Sequence, residues 1–245
     1  EPWDDPKLEG SALEDLVELF RRAELYAQRP TVREDPTAPF GPNLRPGDGV
    51  MLEALTPALD GDMPVLFRAR RERALRTLLL FLDEFPEVRA VIVGGDQAYR
   101  LADELAEREI PVIVGSERSP TLDRDDPVTA GWENAARLHA AGVKVAFSTG
   151  SVADVRTLPE HAAKAWSYGL PRRAALRGVT LAPAQILGID HLTGSIEEGK
   201  RADLIVTDGD PLQITTRVRR AWIGGAEVDL ESRHTRLWKQ FRDRE

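Results

Sequence analysis

At 245 residues, with 42% apolar and 30% charged side chains, the chain can bury a sizeable core, and its apolar runs are too short to cross a bilayer. These numbers exclude a small stapled scaffold and predict a soluble protein, and the net charge of -8 argues against partners bound through phosphates, so neither nucleic acid nor membrane is expected. The absence of cysteine removes disulfides, thiolate metal sites and a cysteine nucleophile, and leaves the compartment open.

Glu1-Pro2-Trp3-Asp4-Asp5 has neither an initiator Met nor the pattern of a signal peptide, and reads as an internal or processed start. Residues 1–50 are expected to form an N-terminal helix and a connector. Leu13, Leu16, Val17, Leu19, Phe20, Ala23 and Leu25 recur at helical spacing behind Ser11, with Glu14 placed for a capping box. From Pro30 to Gly49, five prolines and three glycines predict an exposed connector.

Residues 51–193 read as four βα units. Apolar runs at Pro64–Phe67, Ala90–Val93, Pro111–Val114 and Val143–Phe147 fit strands covered on both faces of a parallel sheet. The segments between them, Arg71–Phe85, Asp96–Arg108 and Thr129–Ala141, are long enough for crossover helices. No phosphate-cradling glycine loop follows any strand, and Gly94-Gly95 reads as a tight turn. Helices are predicted at His161–Tyr168 and Arg172–Val179. In residues 194–230, Ala202–Val206 and Val218–Ile223 read as antiparallel strands bounded by Gly turns, and residues 231–245 as a charged terminal helix docking Leu237, Trp238 and Phe241.

The segment from Ala175 to Val228, with Ala182-Pro-Ala-Gln-Ile-Leu-Gly188, Gly194-Ser-Ile-Glu-Glu-Gly-Lys-Arg-Ala-Asp-Leu-Ile-Val206, Asp208-Gly-Asp-Pro-Leu212 and Ile223-Gly-Gly225, resembles the C-terminal signature of amidohydrolases of the imidazolonepropionase-like kind. The upstream strands are similar to strands five to eight of that family's (βα)8 barrel. The resemblance implies an α/β chain forming the C-terminal half of a TIM-like barrel, followed by strands of a small β-sandwich and a C-terminal helix. It also implies a divalent metal, usually zinc, held by a His-x-His pair on strand one, histidines after strands five and six, and an aspartate after strand eight that shuttles the proton.

Position by position the sequence departs from that pattern. Arg68 stands at the strand-five position, Gly94 or Gly95 at the strand-six position, and Thr149-Gly150-Ser151 where Thr-Asp-Ser is the family form, and there is no His-x-His. The chain is therefore expected to bind no metal of its own. Arg68 can hold a carboxylate or phosphate by two parallel hydrogen bonds, with a salt bridge to Asp96, or to a carboxylate in a segment outside this sequence, as the structural alternative. Thr149 and Ser151 are further ligand-binding candidates at the reactive end, beside Ser148. His139, His161, His191 and His234 are expected at the surface or in caps. Glu117, Arg118 and Asp123–Asp126 read as a solvated charged loop.

Four parallel strands do not close a barrel, so the partner expected is a second copy or a complementing barrel half, with a small-molecule ligand as a further prospect. Three functions follow: a catalytically degenerate scaffold, partner subunit or ligand-binding remnant; an active C–N hydrolase completed by the missing half; and an open-sheet α/β binding domain.

Overall fold

The computed structural model describes residues 6–28, 48–115, 123 and 126–242. Four short strands, β1 (Val65–Ala69), β2 (Ala90–Gly94), β3 (Val112–Val114) and β4 (Val145–Phe147), form a parallel sheet in sequential order. Register sorts their side chains into two faces, because partners across a parallel ladder point the same way. Phe67, Ala90, Ile92, Val112, Val114, Val145 and Phe147 face the helices and belong to the main core. Leu66, Arg68, Val91, Val93, Ile113 and Ala146 lie on the opposite face.

The crossovers follow from the apolar stripes. Helix α3 (Glu72–Glu84) buries Leu75, Leu78, Leu79, Phe81 and Leu82 on one side. Between β2 and β3 the predicted single helix is a 3-10 turn, Ala98–Leu101, continuing into α4 (Ala102–Glu107). Helix α5 (Ala130–Ala140) leads into β4, and a 3-10 turn at Val152–Thr157 leads into α6 (Leu158–Ser167), α7 (Arg172–Gly178) and α8 (Leu181–Ile186). Ile186 of α8 packs with Val91 and Ala146, so α8 lies on the face opposite the crossover helices.

Helix α1 (Pro6–Ala27) runs through Ser11, which is therefore not the N-cap expected from the capping-box pattern; the turn from Pro6 onward already continues the helix. Phe20 of α1 is 2% exposed and meets Phe81 edge-on, with ring centroids 5.0 Å apart, which fixes α1 on the outer side of α3. Helix α2 (Asp48–Leu59) is missed by the sequence reading, which runs the connector to Gly49 and assigns no element before Pro64. Leu52 and Ala58 of α2 are fully buried, and packing against α1 sustains the helix despite Pro57. The Pro-rich segment 29–47 lies outside the described residues.

Beyond α8, strands β5 (Leu204–Thr207), β6 (Val218–Ile223) and β7 (Ala226–Glu227) form a separate antiparallel sheet, with Gly224 and Gly225 turning the β6–β7 hairpin at positive φ. The terminal helix α9 (Arg233–Arg242) forms, but Leu237, Trp238 and Phe241 are 38%, 60% and 52% exposed rather than docked. Ion pairs within its own neighbourhood, such as Lys239 to Glu231 at 2.7 Å, hold it locally.

Candidate functional site at the strand ends

The C-terminal ends of a parallel barrel's strands are where such folds place their chemistry. The strand ends are tied by backbone bonds that continue the ladder: Gly95 N–H donates to the Ala69 carbonyl at 2.8 Å, Gly115 N–H to Gly94 at 3.1 Å and Ser148 N–H to Val114 at 2.9 Å. What this rim presents decides what it can bind.

Arg68 lies near the end of β1, exposed on the face opposite the crossover helices, and has no hydrogen-bond or ion-pair partner among the described residues. The salt bridge to Asp96 is not formed. Asp96 instead accepts from Arg70 Nε at 2.5 Å, because Arg70 lies past the strand end, level with the turn whose Gln97 N–H bonds its carbonyl.

The two glycines at the end of β2 carry no side-chain donor, and Gly95 leaves no room for a ligand side chain. Gly95 has φ +57°, and a Cβ there would stand 2.8 Å from Val112 Cγ1, closer than packed carbons approach. A Cβ on Gly94 would meet Arg70 Cγ at 3.1 Å. Gly150 differs: its φ is +67°, yet nothing lies within 4 Å of a Cβ built there, so the position is open but carries no donor.

The hydroxyls beside Gly150 are engaged in short-range turns. Thr149 Oγ1 donates to the Ser151 carbonyl at 2.9 Å, Ser151 Oγ accepts from Ala153 N–H at 3.2 Å, and Ser148 Oγ accepts from Gly150 N–H at 3.1 Å. Ser151 thereby caps the 3-10 turn at Val152. Strand order places these residues at the β4 end of the sheet and Arg68 at the β1 end, so neighbouring strands do not bring them together.

No group of three or more His, Cys, Asp or Glu able to hold a metal ion occurs among the described residues. A guanidinium, a donorless Gly94, a Gly95 without side-chain space and a bare Gly150 do not fit the divalent ion of the resemblance. Of the histidines, His139, His191 and His234 are exposed as expected, while His161 is 2% exposed, with Nε2 3.4 Å from Thr157 Oγ1. The small residues of α6, Ala162 and Ala165, bring this face of the helix against the core and carry His161 inward.

The largest departure from expectation is Asp126. Glu117, Arg118, Arg124 and Asp125 of the charged loop lie outside the described residues, but Asp126 is buried, its side chain 2% exposed. It accepts from Arg100 in a short charged hydrogen bond, from Tyr99 Oη at 2.6 Å and from Gln97 Nε2 at 2.9 Å. Gln97 also donates to Asp123 at 2.6 Å, and its Oε1 accepts from the Glu72 N–H at the start of α3. Arg71 pairs with Asp123 at 2.9 Å. Burial alone raises the Asp126 pKa, but the hydrogen bonds from Arg100, Tyr99 and Gln97 outweigh it and hold the carboxyl down to about 2. Tyr99 is raised by its burial and by the carboxylate it serves. Asn134 completes the network, donating to the Gly95 carbonyl at 2.9 Å and accepting from Tyr99 N–H at 3.0 Å. This network locks the loop after β3 to the turn after β2. Gln97 and Asn134, both buried polar residues, carry no sequence pattern that marks them.

A four-stranded parallel sheet with crossover helices and a separate antiparallel sheet together define an α/β chain built like part of a (βα)8 barrel. The model of the amidohydrolase family matches residues 89–231, and the chain belongs to that family. An amidohydrolase from Thermotoga maritima MSB8 superposes with a TM-score of 0.74 at 28% identity, over 89% of this chain and 55% of that one. A prolidase solved with N-methylphosphonate-L-proline shares the fold at TM-score 0.57 and 22% identity, over 75% of this chain and 49% of its own. Amidohydrolase tasK of Hapsidospora irregularis is 43% identical over 83 residues, 32% of this chain and 8% of that protein. N-acetylglucosamine-6-phosphate deacetylase of Danio rerio is 38% identical over 91 residues, 37% of this chain and 21% of that protein. The chain thus spans only a fraction of the relatives it matches.

Proposed function

We propose that this chain is a catalytically degenerate amidohydrolase-fold unit, serving as a scaffold or partner subunit and retaining anion binding through Arg68. The observation that carries the reading is the rim of the parallel sheet: Arg68, Gly94-Gly95 and Gly150 stand at positions where the family resemblance calls for two histidines and an aspartate. A permanent cation repels a divalent ion, and Gly95 has no space for an imidazole. Thr149 and Ser151 serve as loop-forming residues, and become ligand contacts only where their turn opens.

A second reading, an active C–N hydrolase completed by further chain, draws on the coverage of 55% of the Thermotoga maritima structure. It requires that most of the metal ligands come from outside the described residues, which contain no group of three able to hold an ion. Calorimetric titration with zinc of the protein purified from the cells that make it, together with whatever further chain it associates with, separates the two. The degenerate unit gives only weak, nonsaturating heats, and inorganic phosphate gives a saturable signal that Arg68→Ala abolishes. Saturable zinc binding at one or two equivalents overturns the proposal.

A further inference from the structure

The terminal helix α9 reverses the charge of the chain that carries it. The protein has a net charge of -8, yet the ten residues Arg233–Arg242 hold Arg233, Arg236, Lys239 and Arg242 and no carboxylate. Every residue of α9 is exposed. At 3.6 residues per turn, Leu237, Trp238 and Phe241 share an arc of about 100°, with His234 inside it. Arg233 and Arg242 fall on the two flanks of that arc, and Arg236 and Lys239 lie opposite it. The Arg242 guanidinium carbon stands 4.8 Å from the Trp238 ring centroid, so a cation already sits at the border of the apolar arc. Lys239 pairs with Glu231 at the surface, an exposed contact that competing anions can replace.

We infer that α9 is an interfacial anchor: it lies on a bilayer surface containing anionic lipid, with Leu237, Trp238 and Phe241 inserted at the headgroup level and its cations meeting lipid phosphates. The net charge of -8 argues against a membrane partner only as an average over the whole chain, and α9 concentrates the opposite sign. At ten residues the helix lies on a bilayer, since no helix among the described residues is long and apolar enough to cross one. The layout selects lipid over other occupants. A helix held in a protein groove sets anchors over two turns or more, whereas Leu237 to Phe241 span little more than one. Cations on both flanks of a short apolar arc match a planar anionic surface into which the side chains can snorkel. A second α9 packed on the same face would bring like charges together, and nucleic acid would satisfy the cations while leaving Trp238 and Phe241 in water. The inference does not depend on whether the strand-end rim holds a metal.

The test is co-flotation of the protein, purified from the cells that make it and in whatever assembly it forms, with two kinds of vesicle. One is phosphatidylcholine alone, and the other is equal parts phosphatidylcholine and phosphatidylglycerol. Binding is expected only to the anionic vesicles, and raising the salt from about 0.1 M to about 0.5 M should release most of it. Trp238→Ala with Phe241→Ala is expected to weaken binding by at least about tenfold, and Arg233→Gln with Arg236→Gln by about tenfold. All four side chains are exposed, so these variants retain the core, and circular dichroism verifies the fold before flotation is scored. No flotation, equal flotation with neutral vesicles, or flotation unaffected by either pair of substitutions overturns the inference. Tighter binding to a DNA duplex than to the anionic vesicles also overturns it, as does self-association that Trp238→Ala with Phe241→Ala abolishes.

Discussion

The helix-facing side of the parallel sheet and the antiparallel sheet beyond residue 203 draw on the same aliphatic residues and reach opposite states. Ile92 and Val112 are fully buried beneath α3, α4 and α5, whereas Ile205 and Ile223 remain more than half exposed. Every βα unit brings its own covering helix, so the parallel region assembles its core from local chain. An antiparallel strand brings only a neighbour in its own plane and leaves a face for something else to cover. The contrast separates the part of the molecule that covers its own apolar residues from the part whose apolar face the described residues leave exposed.

Truncation in the two regions breaks or sharpens this contrast most forcefully. Ile92→Ala is expected to cost about 3 kcal/mol, because the site is enclosed on all sides and collapses poorly. In the isolated chain Ile223→Ala should cost less than about 0.5 kcal/mol, as at other exposed positions. Urea denaturation of both variants measures the difference, and equal losses would mean that the antiparallel sheet is covered by residues outside those described.

Asp126→Asn comes next, at roughly 2 kcal/mol, since it leaves the donors of Arg100, Tyr99 and Gln97 facing a weaker acceptor, softened by the partial exposure of Arg100. The same carboxyl predicts an acid limb. Its pKa is lower folded than unfolded, so its contribution is full above about pH 4 and is lost as pH falls toward 2, amounting to at most about 2 kcal/mol. Stability followed from pH 5 to 2 should fall less steeply in the Asp126→Asn variant than in the parent chain.

Gly95→Ala is expected to cost about 1–2 kcal/mol through the Val112 contact and the left-handed backbone, while Gly150→Ala, open on all sides, loses only the backbone part, about 1 kcal/mol. Thermal melts of the two compare a closed rim position with an open one. The smallest effect is at Arg68: Arg68→Ala should leave stability within about 0.5 kcal/mol, because its guanidinium engages no described residue.

The parallel strands were legible because runs such as Ala90-Val-Ile-Val93 are apolar at every position, a pattern that only a doubly covered strand rewards. The departures at Arg68, Gly94-Gly95 and Gly150 were legible because a missing donor atom is visible in sequence. Asp126 was not: in Asp123-Arg-Asp-Asp126 nothing distinguishes the carboxylate that turns inward, since its burial depends on Tyr99, Arg100 and Gln97 arriving from another unit. His161 was obscured in the same way, its inward orientation set by which face of α6 meets the core. Helix α2 was hidden by Pro57 and by the proline-rich run before it, and is held by packing against α1 rather than by propensity. The exposure of Leu237, Trp238 and Phe241 shows the converse error, an apolar stripe read as docked where the described chain offers no dock.

The proposed function requires that this unit hold no hydrolytic metal of its own. Elemental analysis of the protein purified from the cells that make it, without chelator and in whatever assembly it forms, tests this most directly. The account predicts zinc, manganese and iron all well below one equivalent per chain. One or two equivalents of a divalent metal that persist through dialysis would contradict it.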